Sequence, residues 1–117
     1  MAAHAVRKTR DFVFRQGKAI LDATQHTDFL LAANRMSIPT AERGGEVEYA
    51  LCKQLFEFAH AQEMRVLPSS YADIEMAEYL NDPDNARDHA ICLRTVSIYR
   101  HTFQCWHLRL VQRLWQC

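Results

Sequence analysis

Breakers are few: three glycines and three prolines in 117 residues. Glycine this scarce speaks against a phosphate-cradling loop. With 24% charged residues, it also speaks against a disordered chain. There is no run of 18 apolar residues, so no membrane span is predicted. The start, "MAAHAVRKTRDFVFRQGK", puts charges where a secretory leader needs an apolar stretch, which predicts a cytoplasmic protein. There is no C-x-x-C pair among Cys52, Cys92, Cys105 and Cys117. Free thiols are expected, two or three of them buried and Cys117 exposed.

Net charge is also absent, yet its zero hides segregation. Residues 1–18 hold Arg7, Lys8, Arg10, Arg15 and Lys18 against Asp11 alone. Residues 42–88 hold eleven acids against four bases, and residues 89–117 hold four arginines and no acid. Two basic ends brought together would make a local positive patch; kept apart, they are a solvated surface.

What is present is a hydrophobic content of 49%, enough for one domain spanning residues 1–117. Residues 5–23 place Val13, Gly17, Ile20, Leu21 and Thr24 at helical spacing. Thr27 is placed to cap a second helix through about Arg35. "SIPTAERGG" breaks structure, and "EVEYALCKQLFEFAHAQ" predicts a third helix with Val47, Leu51, Leu55, Phe58 and Ala59 on one side. "RVLP" reads as a loop, and Ser70 with Asp73 as a capping box opening a fourth helix striped by Ile74, Ala77 and Leu80. A last helix is predicted from Arg87 to Leu114, about 40 Å long at about 1.5 Å per residue. The expected fold is all-α: a compact bundle of about five helices with a long C-terminal helix. That length exceeds a domain of this size, so Val111, Leu114 and Trp115 are candidates for a partner interface.

"ALCKQLFEFAHAQEMRVLPSSYADIEMAEYL" and "TVSIYRHTFQCWHL" together resemble the N-terminal core-binding domain of tyrosine recombinases, the phage integrases. The resemblance covers about residues 46–110 and rests on Leu55, Phe58, Leu67, Pro68, Ser69, Ile74, Tyr79, Leu80, Thr95, Ile98 and His101. It implies a SAM-like helical bundle that forms half of a clamp on duplex DNA. By position, Lys53, Arg94 and Arg100 are then DNA contacts, with Arg7, Lys8, Arg10 and Arg15 on the same basic face. The family's catalytic residues lie downstream of the matched region, so the resemblance implies binding without strand cleavage.

Other chemistry finds little footing. His89 with Cys92 and His101 with Cys105 have ligand-like spacings, but about 18 Å of helix would separate the pairs, so no metal is expected. Ser69 and Ser70 are read as loop and cap, and His60 three residues from Glu57 marks no nucleophile. No enzyme activity and no cofactor are expected. Two readings stand: a non-catalytic DNA-binding domain, or a small regulator acting by protein–protein contact, such as a homodimer, joined through the C-terminal helix, that sequesters a transcription factor. The acidic third helix and the long last helix favour the second.

Overall fold

A computed structural model of the chain describes residues 9–94. It is an α/β fold built on one four-stranded sheet, which overturns the expected all-α bundle. The strands are β1 (Arg10–Gln16), β2 (Ala19–Thr27), β3 (Leu30–Ser37) and β4 (Arg65–Pro68), in the spatial order β1-β2-β3-β4. The first three are antiparallel neighbours, and β4 runs parallel to β3. The helices are α1 (Glu46–Ala61), α2 (Ser70–Glu75), α3 (Ala77–Asn81) and α4 (Ala86–Ile91). The predicted third helix stands as α1, and it is the crossover that a parallel pair of strands requires.

The first predicted helix is a hairpin. Gly17 takes φ 60°, a left-handed conformation suited to the first position of a two-residue turn, and Lys18 completes the turn between Gln16 and Ala19. Phe12 and Phe14 then alternate inward against Phe58 of α1, at centroid distances of 4.9 and 5.7 Å. Ala19, Leu21 and Ala23 do the same from β2, so both strands follow the two-residue period of a half-buried sheet. Thr27 does receive a backbone N–H, but from Phe29, in the turn that joins β2 to β3 rather than at a helix start.

The core lies between the sheet and α1. Leu21 and Leu31 meet Leu51, Cys52, Leu55 and Phe56, all fully buried. The C-terminal end of α1 closes without glycine. Glu63 sits at φ 55°, Met64 N–H bonds to Ala59 C=O at 2.8 Å, and Glu63 N–H bonds to His60 C=O at 3.2 Å. This is a Schellman closure with a glutamate at the left-handed position.

"RVLP" is strand β4, not loop. The cap of the following helix is Ser69 rather than Ser70: its Oγ accepts the Ala72 N–H at 3.1 Å and donates to Asn34 C=O at 2.6 Å. The helix stops at Glu75 and resumes at Ala77, and Ile74 of the predicted apolar stripe is exposed. Ser69→Ala is expected to cost about 1–2 kcal/mol by losing cap and strand bond together, while Ser70→Ala stays within about 0.5 kcal/mol; urea midpoints of the two variants check this.

The predicted long helix is interrupted early. α4 ends at Ile91, Cys92 bridges to Val66 in parallel, and Leu93 N–H bonds to Val66 C=O at 2.7 Å. Arg7, Lys8, Arg100, Val111, Leu114 and Trp115 lie outside the described residues. Among the described residues no helix is long and apolar enough to cross a membrane.

Candidate ligand-binding cleft

Strands β3 and β4 pair only from Leu30↔Arg65 to Ala33↔Pro68, while β3 runs on to Ser37. The two strands therefore part at the carboxyl end of β3. In open α/β sheets, ligands bind beyond the carboxyl ends of strands. Two groups of this chain fill the gap in the ladder: Ser69 Oγ holds Asn34 C=O, and Glu75 Oε1 accepts the Met36 N–H at 3.1 Å.

A cleft of about 650 Å³ opens here. Lys18 comes from the β1–β2 turn, Arg35 from β3, and Arg43 from the loop before α1. All three side chains line the cleft, and none is in an ion pair among the described residues. Register explains the convergence: Ile20↔Ser37 and Asp22↔Arg35 are cross-strand partners, so the β2 turn and the end of β3 lie side by side. The floor is apolar, with Ile20, Met36 and Ile38, and exposed Tyr71 stands at the rim beside Glu75.

The loop that carries Arg43 ends in Gly44 and Gly45. Gly45 takes φ 93°, and it opens α1. A glycine pair at a helix N-terminus is an anion site in outline. In this chain the position is self-occupied: Glu48 Oε2 accepts the Gly45 N–H at 2.7 Å, and Glu46 adds a second carboxylate to the first turn. The helix end is therefore not free to receive an anion, and Lys18, Arg35 and Arg43 are the cationic side chains lining the cleft. Glu48 also lines a smaller adjoining recess of about 260 Å³ with Met36, Ile38, Arg43 and Glu75. Its Oε1 is buried with no hydrogen-bond partner among the described residues, as is Glu42 Oε2.

A second concavity of about 650 Å³ lies on the other flank of α1. There Asp88 Oδ1 pairs with His60 Nε2 at 2.8 Å, and Tyr79 donates its hydroxyl hydrogen to Asp88 Oδ2. Burial, then the bond to Asp88, raises the Tyr79 pKa, so the phenol stays a donor. Both Asp88 oxygens are spent on tying α1 and α3 to α4. The nearby Cys52 thiol is fully buried and its pKa is pushed up by that burial, so it is no nucleophile.

Of the DNA contacts expected from sequence, the described ones, Arg10, Arg15, Lys53 and Arg94, do not share one surface. Arg10 and Arg15 lie five residues apart on β1, hence on opposite faces of the sheet, and Arg10 stands 5.3 Å from the centroid of the Phe12 ring. Lys53 is exposed on α1 and lines the second concavity. Arg94 is withdrawn from any surface role: its Nε bonds to Asp73 Oδ1 at 2.8 Å and its Nη1 to Asn81 Oδ1 at 2.9 Å, with both members of the ion pair buried. Among the described residues no group of three or more His, Cys, Asp or Glu side chains is arranged to hold a metal ion. Lys18, Arg35 and Arg43 were missed because the β2–β3 register and the loop before α1, neither legible in the sequence, bring them together. No family model, curated protein or solved structure matches this chain.

Proposed function

We infer that the chain binds a small phosphate-bearing ligand of the nucleotide class in the cleft at the carboxyl end of β3. The carrying observation is the convergence on one concave surface of Lys18, Arg35 and Arg43, none in an ion pair among the described residues, with Arg43 Nε bonded to Ile38 C=O. Guanidinium groups hold phosphate oxygens through paired, charge-assisted hydrogen bonds. Tyr71 at the rim offers a face for a base, and the apolar floor suits an aliphatic arm.

Coenzyme A joins a 3′-phosphorylated ADP unit to a long, largely aliphatic arm, whereas ADP has neither the third phosphate nor the arm. Titration of the full chain by calorimetry at low salt is expected to show binding of both, with coenzyme A the tighter. Arg35→Ala combined with Arg43→Ala is expected to weaken both by roughly tenfold or more. No heat with either probe, or binding indifferent to the double variant, would overturn the reading. A duplex oligonucleotide bound in place of both probes would return the protein to nucleic acid.

A further inference from the structure

Strand β1 is the outer strand of the sheet, and among the described residues nothing pairs with its free edge. Gln54 Nε2 of α1 reaches Arg15 C=O at 2.8 Å, so that carbonyl points away from β2. Antiparallel pairing alternates inward and outward backbone groups, so Asp11, Val13 and Arg15 all direct their N–H and C=O to the free edge. Their side chains share the face away from α1, where Val13 is 45% exposed.

The sequence of this edge, "RDFVFRQ", is complementary to itself when turned about Val13. Antiparallel pairing of two copies places Val13 opposite Val13, Asp11 opposite the second copy's Arg15, and Arg15 opposite the second copy's Asp11. All three are backbone-bonded positions. On the helix side, Phe12 falls opposite Phe14, beside the ring of Phe58 that each already touches. We propose that this protein forms a two-fold dimer through β1, giving one continuous eight-stranded sheet. The bond from Gln54 survives, because a carbonyl oxygen accepts two donors. A lone edge is usually guarded by charges that repel another strand; here the charges on either side of the axis attract.

The pairing uses no residue of the cleft, so its test is independent of ligand binding. Sedimentation of the full chain is expected to show a dimer. Asp11→Arg sets arginine opposite arginine, and Arg15→Asp sets aspartate opposite aspartate; each is expected to raise the dissociation constant roughly tenfold or more. Mixed one to one, the two variants regain both attractive pairs and are expected to form a heterodimer of near wild-type strength. That recovery also shows that each variant is folded. A wild-type chain that sediments as a monomer at 100 µM, taken as a roughly millimolar limit on affinity, overturns the proposal. So does a dimer that both variants leave intact, or a mixture that stays apart.

Discussion

Asp73→Ala is expected to destabilise the fold by about 3–5 kcal/mol, a large share of a small domain's stability. The carboxylate is buried and holds Arg94 Nε at 2.8 Å. Removing it leaves a guanidinium 8% exposed, with Asn81 as its remaining side-chain partner among the described residues. The loss comes from the stranded charge more than from the vanished bond. Asp73→Ala with Arg94→Met should therefore recover much of the stability, because a buried pair replaced by apolar atoms is often neutral or better. Urea melts read both outcomes: a lower midpoint with an unchanged slope for the single variant, and a midpoint restored toward wild type for the double.

Raising the pH from 9 to 10.5 is expected to remove about 4–5 kcal/mol of stability. Cys52 and Cys92 are buried free thiols. Burial pushes the Cys92 thiol up to about 12 against a smaller downward pull from Arg94, and it drives Cys52 higher still. Thiols in the unfolded chain ionise near pH 8.5. Above that pH the unfolded chain has released protons that the folded chain keeps, so stability is full below it and falls as pH rises toward the folded values. Each thiol contributes about 1.4 kcal/mol per pH unit. Above about pH 10 the buried Tyr79 phenol adds in the same direction. Urea midpoints at pH 7, 9 and 10.5 check the trend, and Cys52→Ala is expected to flatten the slope by roughly half between pH 9 and 10.

The sequence announces α1 clearly, since sixteen residues of helical periodicity leave little choice. The hairpin before it is concealed by its own turn. Inward residues are even-numbered in β1, at Phe12 and Phe14, and odd-numbered in β2, at Ala19, Leu21 and Ala23. The two-residue turn shifts the phase, so no single alternation runs through residues 10–27. Val13, Gly17, Ile20, Leu21 and Thr24 then mimic a helix. Strand β3 hides differently: Leu31, Ala32 and Ala33 are good helix formers that tertiary contacts hold extended, and the bulge at Asn34 breaks the period. Arg94 looked like a surface cation because nothing in the chain reveals that Asp73, twenty-one residues earlier, waits for it. The cleft's cations were equally silent, for Lys18, Arg35 and Arg43 belong to three different elements.

The other side of the sheet has one more consequence. Cys92 and Leu93 already lie along β4 at Val66, so the chain itself covers part of the border opposite β1. Among the described residues, the uncovered border is that of β1. An association with a two-fold axis at Val13 consumes that border and closes, so assembly stops at a pair and cannot extend into a filament.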